Sequence, residues 1–163
     1  MKPGENTSPQ RKEPGKNQDA PAALTEDLRK LLLENGFDRV GFAAADTTPG
    51  TEEFSDWIDR GYSGNMDYLA RNAERRCDVG KVLEGTRSVI VMALHYGDER
   101  ALGIASPASD RAEIAAYARG TDYHRVIEKR LKKCSRLLQG TFGGKYRYYV
   151  DTGPVLEKAW AQK

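Results

Sequence analysis

Residues 122–139, DYHRVIEKRLKKCSRLLQ, decide the fold because they read as one long amphipathic helix. The apolar side chains recur every three or four residues: Tyr123, Ile127, Leu131, Cys134 and Leu138. This spacing places them on one face of a helix. Asp122 stands where a helix-capping residue is favoured, and Gly140 and the pair at 143–144 follow as stop signals. The pattern predicts a helix whose apolar face packs against a core.

Upstream of this helix, the sequence predicts three shorter helices and a strand. The first helix begins after Thr25 as N-cap and ends at Asn35-Gly36. Residues 37–44, FDRVGFAA, predict a short strand, and Pro49-Gly50 then breaks the chain. The two further helices are predicted around 54–58 and 66–73.

Two more segments favour strands. The apolar run RSVIVMAL at 87–94 is typical of a strand buried on both faces. Tyr146 to Val150 is rich in β-forming residues, and Pro154 is suited to be the first residue of a last helix. Alternating strands and helices predict an α/β fold, with a mixed sheet and flanking helices.

Length and composition limit the classes of protein that the chain can belong to. Its 163 residues suffice for one domain, which we expect to span 23–163. Residues 1–22 hold four prolines and few apolar side chains, so they predict a disordered tail. No apolar run approaches the ~18 residues of a membrane helix, and no signal-peptide core is present, so we expect a cytoplasmic protein without a membrane. The net charge of +2 excludes neither a small-molecule nor a nucleic-acid partner.

Asp151 is the first candidate for chemistry. It follows a predicted strand, and ligands of α/β proteins usually bind at that end of a sheet. If neighbouring tyrosines shielded its carboxyl group from water, the group could stay protonated and donate a proton. A helix N-cap is an equally good interpretation of an aspartate at this position.

The second candidate is YARGTDYH, residues 117–124, just before the long helix. It brings together Tyr117, Tyr123 and His124 around a glycine that permits close approach of a ligand. A capped helix start with a surface histidine is the simpler interpretation. The helix that follows carries a basic run that could bind RNA phosphates, although such a run more often marks a solvated face.

Four ordered segments resemble the amino-terminal half of the epoxyqueuosine reductase family. They are GNMDYLARN (64–72), VLEGTRSVIVMALHYG (82–97), YARGTDYHRVIEKRLKK (117–133) and YVDTGPVLEKAWAQK (149–163). The resemblance runs from about Leu24 to Lys163. It implies an α/β domain similar to the cobalamin domains of reductive dehalogenases and related to the nitroreductase-like fold.

The resemblance also implies an activity and a site. Such enzymes reduce epoxyqueuosine to queuosine in the tRNA anticodon loop, with cobalamin and two [4Fe-4S] clusters. Asp151 matches the proton donor of the family. Arg71 matches a cobalamin or substrate contact, and Tyr117, Tyr123 and His124 match the motif beside the cobalamin pocket.

The chain departs from the family in its cysteines. It has two, Cys77 and Cys134, whereas each cluster needs four thiolates. We therefore expect no metal site in this chain. We expect it to be an amino-terminal portion, truncated before the iron–sulfur domain and inactive by itself. A separate chain could then carry the clusters. A cobalamin-binding module without reductase activity and an RNA-binding domain remain alternative hypotheses.

Overall fold

A computed structural model describes residues 20–97 and 114–163. In chain order its helices and strands are α1 (Ala20–Glu34), β1 (Arg39–Ala44), α2 (Thr51–Asp59), α3 (Asp67–Arg71), α4 (Ala73–Cys77), β2 (Ser88–Ala93), α5 (Tyr123–Phe142) and α6 (Glu157–Gln162). Of the predicted tail, only 20–22 fall among the described residues, and they belong to α1.

The core forms between the long helix α5, helix α1 and one face of an antiparallel pair of strands. In the register of β1 and β2, Val40 lies opposite Met92, and Phe42 lies opposite Ile90. Because side chains alternate across a strand, these four point to the same face, and all four belong to the core or pack against it. The buried residues of this core are Leu32, Phe37, Val40, Leu131, Cys134 and Leu138.

Two arginines tie the helices to the backbone around β1. The guanidinium of Arg130 in α5 donates a hydrogen bond to the carbonyl of Gly36, just after α1. Gly36 has a φ of +91°, a conformation that favours glycine, and a Cβ atom there would lie 3.2 Å from Arg130 Nη1. Arg29 in α1 donates to the carbonyl of Val40. These bonds fix how α1, β1 and α5 meet.

Most of the predicted elements are confirmed, but their boundaries differ. Helix α1 begins at Ala20 rather than after Thr25, since alanines at 22 and 23 extend it. The single helix expected around 66–73 is two helices, α3 and α4, divided at Asn72. The long helix runs past Gly140 and ends at Phe142, before Gly143 with a φ of +70°.

The sheet is smaller than predicted. Among the described residues it is one antiparallel pair, not a mixed sheet, and the centre of β2 is half-buried rather than buried. The strand predicted at 146–150 does not form: Tyr146, Tyr148 and Val150 alternate onto the core as a strand would, but the segment has no ladder in the described part of the chain. A strand needs a partner backbone, which local sequence does not supply.

The last helix also starts later than predicted. It begins at Glu157, three residues after Pro154, and its N-cap is Leu156. The residues before it form a turn instead. In this turn Asp151 has a positive φ, and Gly153 packs against Tyr149. In the described ranges, no helix is both long and apolar enough to cross a membrane.

Replacing Leu32 by alanine should lower the free energy of unfolding by about 2–5 kcal/mol, because its side chain is 0% exposed. Leu33→Ala on the same helix is the matched control, since Leu33 is 40% exposed, and its effect should be roughly 0.5 kcal/mol or less. Urea unfolding of the full chain, followed by circular dichroism, measures both. Equal losses would contradict the described packing of α1.

Candidate functional site

The site is centred on a hydrogen bond between two segments that are far apart in sequence. The phenol of Tyr123, the first residue of α5, donates to Asp151 Oδ2 over 2.6 Å. Helix α5 is fixed by its buried face, so its first turn presents Tyr123 at a defined place. Asp151 follows the extended segment that packs on the same core. The structure therefore brings together the two candidates that the sequence analysis kept separate.

His124 joins this pair through its side chain. Its ring stacks on that of Tyr123 with 4.1 Å between centroids, and its Nε2 lies 3.7 Å from Asp151 Oδ2. Its Nδ1 lies 2.9 Å from Asp122 Oδ1. A carboxylate at Nδ1 favours the tautomer that carries its proton there, which leaves Nε2 facing Asp151 without a proton when the ring is neutral.

Asp122 has two tasks at this helix start. It is the N-cap of α5 and accepts a hydrogen bond from the backbone N–H of His124, as the sequence predicts. The hydrogen bonds from the ring and the N–H of His124 hold the pKa of the Asp122 carboxyl below its usual range. Asp122 thus orients His124 as well as capping the helix.

Two further tyrosines continue the cluster outward. Tyr117 meets Tyr123 edge to face with 5.8 Å between ring centroids, and Tyr96 meets Tyr117 in the same way at 5.8 Å. Tyr96 is 67% exposed and Tyr117 49% exposed. The sequence analysis missed Tyr96, although its position just after β2 is the same kind of strand-end signal that pointed to Asp151.

Asp151 itself is open to solvent. Its side chain is 55% exposed, so in the described chain the tyrosines do not shield it as expected. It is not the N-cap of the following helix, a role that Leu156 takes. A shallow cleft of about 350 Å³ opens beside it, lined by Gly50, Asp151 and residues 155–159. This leaves the carboxyl accessible to a ligand.

The carboxyl of Asp151 changes the acidity of its partner. The hydrogen bond to Asp151, together with partial desolvation and the charge of the carboxylate, raises the pKa of Tyr123 to about 12. The phenol therefore stays protonated at neutral pH and acts as a hydrogen-bond donor.

On the other side, two residues that the sequence did not single out hold the backbone of Asp151 and of Val155. Its N–H donates to Glu157 Oε1 over 3.0 Å. Arg76 in α4 donates to the carbonyl of Val155 over 3.4 Å and lies close enough to Glu157 to act on its charge. Finding either residue required knowing the turn that follows Asp151.

Arg71 stands apart from this cluster. It is exposed in the last turn of α3 and forms no hydrogen bond or salt bridge with the residues that the structure describes. Both cysteines are free: Cys134 is buried in the core and Cys77 is half-buried. Within the described ranges, no three His, Cys, Asp or Glu side chains are grouped to hold a metal ion.

Sequence comparisons relate the chain to one family. Residues 76–152 match the family model "Epoxyqueuosine reductase QueG, DUF1730". The chain is 42% identical over 146 residues to an epoxyqueuosine reductase of Gloeobacter violaceus, covering 88% of this chain and 43% of that protein. It is 36% identical over 149 residues to one of Pseudomonas aeruginosa, covering 88% and 40%. The chain thus spans less than half the length of these relatives.

The fold also matches solved structures. The crystal structure of an epoxyqueuosine reductase with a tRNA-Tyr epoxyqueuosine-modified tRNA stem loop superposes with a TM-score of 0.67 at 24% identity, over 86% of this chain and 37% of that one. A selenomethionine-labelled epoxyqueuosine reductase gives a TM-score of 0.61 at 24% identity, over 86% and 38%. At this identity the likeness establishes the fold.

The substitution Asp151→Asn should lower the phenol pKa of Tyr123 from about 12 toward its usual value of 10.0, because the carboxylate that stabilises the neutral phenol is removed. Nuclear magnetic resonance of the tyrosine Cζ carbons during a pH titration measures this, with Tyr123→Phe identifying the signal. Because the folded-state pKa is raised, the bond stabilises the fold fully below about pH 10 and less as the pH rises toward 12. An unchanged pKa in the Asp151 variant would contradict the described hydrogen bond.

Proposed function

The chain is related to the epoxyqueuosine reductases over most of its length, and on that premise we propose that it contributes the cobalamin-binding and proton-donating part of such an enzyme. Residues 23–163 would be its amino-terminal domain, with the architecture of the nitroreductase-like cobalamin domains. The reaction is the reduction of epoxyqueuosine to queuosine in the anticodon loop of tRNA.

The hydrogen bond between Tyr123 and Asp151 is the observation that carries the proposal. Both residues lie inside the segment that matches the family model. The bond places an acid, a phenol and an imidazole together on an exposed face, next to a cleft. A carboxyl group that is fixed in place and can be reached by a substrate is suited, when it holds a proton, to proton donation.

The residues have distinct roles in this chemistry. Reduction of the epoxide takes up two electrons and two protons and releases the oxygen as water. Asp151 donates a proton to the epoxide oxygen as its C–O bond breaks, since negative charge develops on that oxygen. Tyr123 holds the Asp151 carboxyl by its O–H, and His124, oriented by Asp122, lies on the other side of the same carboxyl oxygen with its Nε2 at 3.7 Å.

The exposed tyrosines fit one face of a cobalamin. Tyr96 and Tyr117 offer an aromatic surface that continues outward from Tyr123, and a large flat macrocycle can lie against such a surface. The cleft of about 350 Å³ is too small to enclose a corrin, so the fit is to an open face. We propose that these rings, with His124 and Arg71, hold the cofactor, which supplies the electron chemistry when bound.

The chain does not fit an iron–sulfur cluster. Two cysteines cannot supply the four thiolates of a [4Fe-4S] centre. We therefore assign electron delivery to residues outside this sequence, either on a longer polypeptide or on a separate chain.

A basic stripe on α5 supports tRNA as the partner. We use this name for Arg125, Lys129, Lys132 and Arg136, which recur at intervals of four, three and four residues. At 3.6 residues per turn they share one face over roughly 16 Å, opposite the buried face of the helix. None forms a salt bridge with a described residue, whereas Lys30 and Lys81 pair with glutamates. Cations without carboxylate partners are available to phosphates.

Titration with cob(II)alamin tests the cofactor assignment. The full chain should change the visible spectrum of cob(II)alamin in a saturable way. Tyr117→Ala should weaken binding by roughly tenfold, because an exposed aromatic contact contributes about 1–1.5 kcal/mol. Leu137→Ala, which removes an exposed apolar side chain further along α5, is the control and should leave binding unchanged. No spectral change at high protein concentration would contradict the assignment.

Binding of a tRNA anticodon stem loop at several salt concentrations tests the basic stripe. The double variant Lys129→Gln, Lys132→Gln should reduce the slope of log K against log salt by about 1.4–1.8, because each lost phosphate contact removes about 0.7–0.9. The matched control changes Lys30 and Lys81 to glutamine and should keep the slope. Binding that does not depend on salt would exclude the stripe as an RNA surface.

The two titrations together separate the three candidate functions. Binding of both cobalamin and the stem loop supports the reductase proposal. Cobalamin binding alone indicates a cobalamin-binding module, and RNA binding alone indicates an RNA-binding domain.

A further inference from the structure

The backbone at Asp151 has an unusual conformation. Asp151 has a φ of +56° and is the one residue other than glycine with positive φ in the described ranges. The N–H of Thr152 donates to the carbonyl of Val150 over 2.6 Å, which closes a three-residue turn around Asp151. A residue other than glycine is strained in this region, so other contacts must hold it.

The turn is packed tightly on its far side. Gly153 is buried, and a Cβ atom there would lie 2.2 Å from Tyr149 Cγ. Only glycine therefore fits at this position. The packing fixes where the chain leaves the turn.

The direct contact to the turn comes from Glu157, the first residue of α6. Its Oε1 accepts the hydrogen bond from the N–H of Asp151 at 3.0 Å. The N–H of Asp151 lies at the centre of the turn, and the side chain of Glu157, six residues later, accepts its hydrogen bond. A glutamate that served only as a favourable charge at the start of α6 would not need this contact.

The surroundings of Glu157 are costly for a carboxylate. Burial raises the pKa of Glu157, and the charge and side chain of the nearby Asp151 raise it further, while the hydrogen bond from the Asp151 N–H and the charge of Arg76 act in the opposite direction. Two carboxyl groups placed this close repel when both are ionised. The fold nevertheless keeps the half-buried Glu157 next to Asp151, which indicates that the hydrogen bond between them has a role.

We propose that Glu157 is a positioning residue for Asp151: its carboxyl oxygen holds the N–H of the left-handed turn and thereby sets the place where the Asp151 carboxyl meets Tyr123. The inference rests on the proposed function for its significance, because Asp151 is there the proton donor. The geometric claim itself concerns only Glu157, Asp151 and Tyr123.

The pKa of Tyr123 depends on where the Asp151 carboxyl lies, and it can be measured without a cofactor. The residues that raise the Tyr123 pKa are Asp151, through its hydrogen bond and its charge, then Tyr117 and Asp122. Because Asp151 has the largest effect, a displaced Asp151 carboxyl should lower this pKa. An amide oxygen can accept the same bond, so glutamine should replace the glutamate and alanine should not.

The test measures the phenol pKa of Tyr123 in the full chain by tyrosine Cζ resonance. We expect about 12 in the parent chain and in Glu157→Gln, and a fall toward the usual 10.0 in Glu157→Ala. Gln162→Ala, an exposed change in the last turn of α6, is the matched control and should keep the value near 12. A pKa that stays near 12 in Glu157→Ala would overturn the proposal, and so would an equal fall in the glutamine variant.

Two further measurements keep the outcomes separate. Circular dichroism and urea unfolding show whether Glu157→Ala folds; should it not, Glu157→Leu, which fills a similar volume, takes its place with the same expectation. The cobalamin titration of the unaltered chain tests the reductase proposal alone. If cobalamin does not bind, the Tyr123 pKa still tests the role of Glu157. If the Tyr123 pKa does not change, cobalamin binding still tests the reductase proposal.

Discussion

Burial of one face of α5 is the constraint on which the rest of the molecule depends. Leu131, Cys134 and Leu138 pack beneath the strand pair and against α1, which fixes the axis of a helix of 20 residues. Burial also raises the pKa of the Cys134 thiol, so that this residue behaves as a small apolar side chain. With the axis fixed, the start of the helix delivers the phenol of Tyr123 to Asp151, and its outward face carries the basic stripe.

Local sequence could predict the parts of this arrangement that arise from local physics. The period of α5, its cap at Asp122 and the stop after α1 at Gly36 follow from side-chain spacing and backbone preference, and all three are confirmed. Tyr146 to Val150 shows the limit. Its residues alternate onto the core as predicted, yet strand assignment requires hydrogen bonds to a second backbone, and none is present in the described part of the chain.

The candidate site depends even more on distant contacts. Asp151 and Tyr123 are 28 residues apart. From the sequence, a helix cap is an equally good interpretation of Asp151, and Tyr123 is predicted on the apolar face of the long helix. Their hydrogen bond excludes the cap interpretation for Asp151, because its carboxyl is directed at the phenol and the helix begins later. Glu157 gave no signal at all, since its contact is to a backbone N–H whose position depends on a left-handed turn. Sequence patterns describe side chains and do not reveal such turns.

Under the proposed function, the exposure of Asp151 would give the cofactor a second task. A proton donor works best where water is excluded, yet more than half of this side chain is open to solvent. A macrocycle that lay on Tyr96 and Tyr117 would cover the same carboxyl from the solvent side, while Glu157 and Tyr123 hold it from the protein side. Cofactor binding would then complete the acid site as well as supply electrons. Such a site would need the turn at Asp151 to be held in place before the cofactor bound, and the proposed role of Glu157 is to hold it through the Asp151 N–H.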